Sequence, residues 1–178
     1  AHPKIAHVGF TGGDAAGRKI YQLAASGLKT VTLELGGKSP NIVFPDADLD
    51  AAVRGATVGI FYGKGEVCAA GSRLLVDKSI KDQFLQKVAD RTKKMVPGDP
   101  LDPKTRLGAL SSKTQLERVL RYIDTARKEG ATLVAGGSRA SRSAVSNDFA
   151  PTLIAVSANP TGFSNSFCTP LASIPFSL

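Results

Sequence analysis

The sequence predicts an α/β protein: a mostly parallel sheet with flanking helices. Three observations carry that expectation. Short β-branched runs alternate with amphipathic stretches long enough for helices. Glycine and proline punctuate the junctions, with 18 Gly and 10 Pro in 178 residues. Hydrophobic residues make up 42% and charged residues 21%, enough apolar material for a core.

The elements follow in order. Ala6 to Phe10 is short and β-prone. Gly12 and Gly13 turn the chain into a helix from Asp14 to about Ser26, with Ile20, Leu23 and Ala24 on one face and Gly27 as the stop. Thr30 to Leu33 and Asn41 to Phe44 read as strands. Asp46 and Asp48 offer acceptors for the free amides of a helix running from Leu49 to Phe61, with Leu49, Val53, Thr57 and Ile60 inward. Arg73 to Val76 is the next strand. Ile80, Phe84, Leu85 and Val88 then recur at helical spacing, up to Pro97-Gly98-Asp99-Pro100. A helix from Ser112 to Glu129 buries Leu116, Val119, Leu120 and Ile123 and stops at Gly130; Ala131 to Ala135 and Thr152 to Val156 are strands. The segment 159–178 lacks Lys, Arg, Asp and Glu, shows no period, and reads as irregular.

The chain carries 23 Lys plus Arg against 15 Asp plus Glu, a net charge of +8. Such a balance raises polyanion binding as a reading. The cations are spread over several helices, however, and the densest group, Lys87, Arg91, Lys93 and Lys94, reads as a solvated helix face. With no Trp and three Tyr, no base-stacking platform is evident, so no nucleic-acid partner is expected. Two cysteines do not make a disulfide framework, and a reducing, cytoplasmic setting is the simpler expectation. No secretory leader and no apolar run of membrane-spanning length is visible, so no membrane partner is expected either. His2, His7, Cys68 and Cys168 have no metal-ligand spacing.

Three segments could carry chemistry. In Leu33-Glu34-Leu35-Gly36-Gly37-Lys38-Ser39-Pro40, a glutamate follows a β-run and precedes two glycines. An acid at that point can reach the cleft beyond a strand's carboxyl end, where ligands bind in open α/β sheets. A surface glutamate in a turn is the plainer alternative. In Gly65-Glu66-Val67-Cys68-Ala69-Ala70-Gly71-Ser72-Arg73, a cysteine stands among small residues that leave room for a substrate carbon. A lone cysteine is also commonly a small buried hydrophobe. Gly9-Phe10-Thr11-Gly12-Gly13 followed by a helix start makes a phosphate-binding corner possible. It is not a P-loop, because Arg18 and Lys19 stand where Lys and Ser or Thr are required.

Taken together, the glutamate and cysteine segments resemble the aldehyde dehydrogenase superfamily in wording, order and separation. Gly9-Phe10-Thr11-Gly12 upstream and Gly98-Asp99-Pro100-Leu101-Asp102 downstream fit the same pattern, and the likeness covers about Lys4 to Ala158. The resemblance implies a Rossmann-like cofactor domain ending at residues 1–36, a partial catalytic domain over 37–158, and a divergent tail over 159–178. It implies oxidation of an aldehyde with NAD or NADP as acceptor. Cys68 would be the nucleophile that forms a thiohemiacetal and then a thioester, and Glu34 the base that activates water. Gly12 and Gly13 would lie beside the cofactor pyrophosphate, Leu35 and Gly36 near the nicotinamide, and Gln115 near a ribose. Serine is frequent in relatives at the position of Gly13.

The family's oxyanion asparagine and first nucleotide-binding strands have no counterpart in this sequence. The Glu-x-Phe-Gly-Pro segment expected soon after Val156 is replaced by Asn159-Pro160-Thr161-Gly162-Phe163. These departures lead to the expectation of an internal fragment. The parent would be a homo-oligomer acting on a small aldehyde. The competing expectation is a non-catalytic remnant that only associates with other chains.

Overall fold

The computed structural model describes residues 2–139 and the strands Leu153–Ala155 and Phe163–Ser166. The described residues fall into two compact units, one ending at Gly37 and the other beginning at Lys38.

The first unit is a β–α–β element: β1 (His7–Thr11), α1 (Asp14–Ala25) and β2 (Thr30–Glu34). The strands are parallel, in register from His7 opposite Thr30 to Thr11 opposite Glu34. Val8, Phe10, Val31 and Leu33 alternate with exposed neighbours, the period-2 pattern of a half-covered pair. His7 is tied down on β2: its Nδ1 lies 2.7 Å from the Thr30 hydroxyl and its Nε2 3.3 Å from that of Thr32.

Two details of α1 depart from expectation. Leu23 is 65% exposed rather than inward; the buried positions are Gly17 and Ala24. The helix ends at Ala25 with Ser26 as its C-cap, but Gly27 does not carry the left-handed turn. Ser26 is still right-handed, its hydroxyl donating to the Leu23 carbonyl, so the left-handed position falls one residue past the glycine, on Leu28 at φ 52°. Amides of Leu28 and Lys29 close the end onto the carbonyls of Ala25 and Ala24.

The second unit is built on β3 (Pro40–Val43) and β4 (Arg73–Asp77), parallel from Pro40 opposite Arg73 to Val43 opposite Val76. Helix α2 (Leu49–Phe61) connects them, and α3 (Lys81–Lys93) follows β4. The Asp48 side chain accepts from the Ala51 amide at 3.0 Å, which fixes where α2 starts. Val53, Ala56, Ile60 and Phe61 from α2 meet Phe84, Val88 and Ala89 from α3 over Val43, Leu74 and Val76. Thr57 and Thr92 are buried in this core because each hydroxyl donates back to a carbonyl of its own helix, at Val53 and Val88. The α3 helix ends at Lys93, sooner than the Pro97 break suggested. Its final amide bonds go to Arg91 and Thr92, and the residue before a proline resists helical geometry.

Helix α4 (Lys113–Lys128) is capped by Ser112, whose hydroxyl accepts from the Gln115 amide at 3.1 Å. Gly130, at φ 86°, turns the chain into β5 (Thr132–Ala135), which pairs antiparallel with β6 (Leu153–Ala155). The segment read as irregular contains one strand, β7 (Phe163–Ser166), antiparallel to β4 from Leu74 opposite Ser166 to Asp77 opposite Phe163. The remainder of that segment lies outside the described residues.

Candidate active site

Glu34 is the last residue of β2 and is exposed. Its carbonyl accepts the Gly12 amide at 3.0 Å, joining the carboxyl ends of the two parallel strands. A Cβ on Gly12 would stand 2.5 Å from the Phe10 ring, so a side chain there would have to displace that ring. Gly13 is the N-cap of α1 and supplies no side-chain acceptor, so the first-turn amides keep capacity for an anion, although Asp14 sets a negative charge in the same turn.

Leu35 turns its side chain onto α1. A Cβ on Gly17 would come within 2.7 Å of Leu35 Cδ2. Leu33 and Leu35 also help to line a cleft of about 450 Å³ with Asp14, Arg18, Tyr21 and Gln22. Among the described residues only the Asp14 carboxylate comes within 4 Å of a Cβ built on Gly36, at 3.9 Å.

Cys68 is a free, exposed cysteine. It occupies the turn closed by the Ala70 amide on the Val67 carbonyl, 3.1 Å away. The approach to that turn is unusual. Gly63, Lys64 and Gly65 all have positive φ, at 57°, 66° and 76°. Left-handed geometry at a lysine is uncommon and stores a modest strain. The exit from the turn is held on three sides. The Gly71 amide donates to the Gly59 carbonyl of α2, the Arg73 amide donates to the Ser39 carbonyl, and the Arg73 Nε donates to the Lys38 carbonyl at 2.7 Å. Burial pushes the Lys38 amine down to about 8.

Gln115 is 7% exposed in the first turn of α4. The pattern Ser112-x-x-Gln115 is that of a capping box, which gives this residue a structural reason for its place. Sequence reasoning missed Glu66. Its carboxylate accepts the Ser111 amide at 3.2 Å and pairs with Lys64 Nζ at 3.2 Å.

The basic cluster divides. Lys87 pairs with Asp50 at 2.7 Å and Lys93 with Asp90 at 3.5 Å. Arg91 and Lys94 join Arg106, Phe61, Tyr62 and Met95 around a cleft of about 510 Å³. Among the described residues no group of three or more His, Cys, Asp or Glu is placed to hold a metal, and no helix is long and apolar enough to cross a membrane.

The fold of the first unit is Rossmann-type, and the second presents a free thiol on a loop bounded by glycines; an α/β chain of that class is what the family comparison then specifies. The chain belongs to the aldehyde dehydrogenase family, whose model matches residues 1–176. That match extends past the limits of Lys4 and Ala158 drawn from the motifs. The chain is 52% identical over 136 residues to a betaine aldehyde dehydrogenase of Rhizobium johnstonii, covering 76% of this chain and 28% of that protein. It is also 52% identical to the 4-trimethylaminobutyraldehyde dehydrogenase B of Danio rerio, covering 76% and 26%. Among solved structures it resembles the betaine aldehyde dehydrogenase of Staphylococcus aureus in complex with NAD+, with a TM-score of 0.83 and 42% identity over 86% of this chain and 31% of that one. The NAD+ complex of an aldehyde dehydrogenase from Bacillus cereus gives 0.80 and 41%, with the same coverage. The chain thus spans less than a third of the length of these relatives.

Proposed function

We propose that this chain is the part of an NAD(P)-dependent aldehyde dehydrogenase that carries its nucleophile, Cys68, and its general base, Glu34. The observation that carries the reading is the exposed Cys68 on a turn held by α2 and by Lys38 and Ser39, just before β3. It is joined by an exposed Glu34 at the carboxyl end of a parallel β–α–β element.

In this reading the Cys68 thiolate adds to the aldehyde carbon, giving a tetrahedral alkoxide bonded to Sγ. A nicotinamide dinucleotide, when bound, supplies the acceptor for the hydride that leaves that carbon. Sγ then holds a thioester. Glu34 takes a proton from water, the hydroxide adds to the acyl carbon, and the carbon–sulfur bond breaks to release the carboxylic acid and restore the thiolate. Gly12 and Gly13 line the pyrophosphate side of the cofactor, Leu35 and Gly36 the nicotinamide side, and Gln115 a ribose. Residues 1–36 belong to the cofactor domain and 37–158 to the catalytic domain, and the whole protein is a cytoplasmic homo-oligomer. The names of the relatives make an aldehyde bearing a quaternary ammonium group the first substrate to try.

A second reading is a non-catalytic piece that associates with other chains. Leu28, Leu101, Tyr62, Leu23, Val58 and Phe44 are all more than half exposed, apolar surface that association would cover.

The test is NAD+-dependent oxidation of betaine aldehyde by the purified chain, with Cys68→Ala as control. Turnover lost in the variant supports the first reading. Absence of turnover at every aldehyde tried, with assembly seen by sedimentation, supports the second.

A further inference from the structure

We infer that Glu66 is a positioning residue for Cys68, a strut that ties the cysteine loop to the cap of α4. The inference rests on the reading of Cys68 as the nucleophile. Glu66 stands two residues before the thiol, and its carboxylate is used at both oxygens. Oε1 accepts the backbone amide of Ser111, 45 residues further along the chain. Oε2 lies 3.2 Å from Lys64 Nζ.

Each contact answers a local need. The chain reaches Cys68 through three consecutive residues of positive φ, a conformation that Gly63 and Gly65 accept and Lys64 resists. An ion pair to Lys64 compensates for that conformation. The bond to Ser111 fixes the loop from outside, one residue from the Ser112 cap and four from Gln115, so cysteine loop and helix start move as one piece.

The strut also explains why the thiol is outside. A free cysteine behaves as a small hydrophobe and is among the residues most often buried. On a slack loop, the Cys68 side chain would fold onto the apolar surface beside it, which includes the exposed Val67. Holding Glu66 on Ser111 keeps the turn from Val67 to Ala70 in place and Sγ presented to solvent.

The test is alkylation of Cys68 by iodoacetamide in the full chain, read by peptide mass spectrometry so that Cys168 is counted separately. Amide hydrogen exchange at Ser111 is measured on the same samples. Glu66→Ala should slow alkylation at least about threefold and speed exchange at Ser111, since a misplacement of about 1 Å is enough to change reaction rates. Glu66→Gln keeps an acceptor oxygen for the Ser111 amide while losing the ion pair to Lys64, and should stay within about twofold of the parent in both, because the bond to Ser111 is what ties the loop to α4. Lys64→Met should leave the Ser111 amide protected. Equal alkylation in parent and Glu66→Ala, with helical content unchanged by circular dichroism, overturns the inference. If Glu66→Ala does not fold, Glu66→Met, which keeps the side-chain bulk but no carboxylate, decides: slower alkylation with faster exchange at Ser111 supports the strut, and parent-like values in both refute it. A parent thiol no faster than free cysteine would instead count against Cys68 as the nucleophile.

Discussion

Asn41 on β3 lies against Gly71, three residues after Cys68: a Cβ built on Gly71 would stand 3.2 Å from the Asn41 Cβ and 3.3 Å from its Nδ2. The contact brings the cysteine turn down onto the sheet. The Gly71 amide completes the arrangement by donating to Gly59, whose own missing side chain faces the same asparagine at 4.0 Å.

Gly71→Ala should therefore cost stability. The opposing atom is a Cβ fixed on a strand, not the end of a flexible side chain, so the loop must shift. Overpacking of this kind costs about 1–3 kcal/mol. Urea denaturation checks it, and Cys68 alkylation should change in the same variant because the shift falls on its turn.

Burial at Lys38 gives a dependence on pH. Its folded-state value near 8 lies below the ordinary 10.5. Between those two values the unfolded chain binds more protons than the folded one, so stability rises with pH across that window. Below about pH 8 both states are protonated and the burial penalty is fully present. Lys38→Met should remove this part of the slope. The difference in urea midpoint between parent and variant, followed from pH 7.5 to 10, should shrink as pH rises.

Leu28 is the non-glycine residue that carries the left-handed turn after α1, and it is 94% exposed. Leu28→Gly relieves the backbone and loses almost no packing. The gain should be about 0.5 kcal/mol, because glycine's greater freedom in the unfolded chain offsets part of it. Thermal unfolding measures it, and a loss of stability would contradict the assigned turn.

The two side-chain caps should be worth similar amounts. Asp48→Ala and Ser112→Ala each remove an acceptor from a helix start and should cost about 1 kcal/mol. Ser112→Ala carries an added consequence, since its cap neighbours the Glu66 strut. It should speed exchange at the Gln115 amide, which Asp48→Ala leaves unchanged.

Much of this was legible in the sequence because it is local. The start of α2 was readable from Asp48, and its buried face from Val53, Thr57 and Ile60, since caps and helical spacing act within a few residues. Glu34 stood out because it ends a β-run just before two glycines, and Cys68 because it sits among small residues between Gly65 and Gly71. What could not be read depends on distant partners. The bond from Glu66 to Ser111 joins residues far apart in sequence, and nothing in either segment points to the other. The strand at Phe163–Ser166 has a polar composition without period, and its extended form comes from pairing with β4. The end of α1 fell where Gly27 suggested, but the left-handed turn sits on Leu28, because Ser26 is still right-handed with its hydroxyl on the Leu23 carbonyl.

The pairing of β4 with β7 also bears on how the second unit comes together in time. The β3, α2, β4 and α3 segments are consecutive and bury one another, so they can condense from nearby contacts. Joining Leu74 to Ser166 requires closing a loop through nearly all of the remaining chain, and such closures are slow. The final strand should zip onto the preformed sheet late, as a separate kinetic phase in stopped-flow refolding that vanishes when the chain is cut before Phe163. During synthesis, the edge of β4 would then wait, unzipped, until Phe163–Ser166 had left the ribosome.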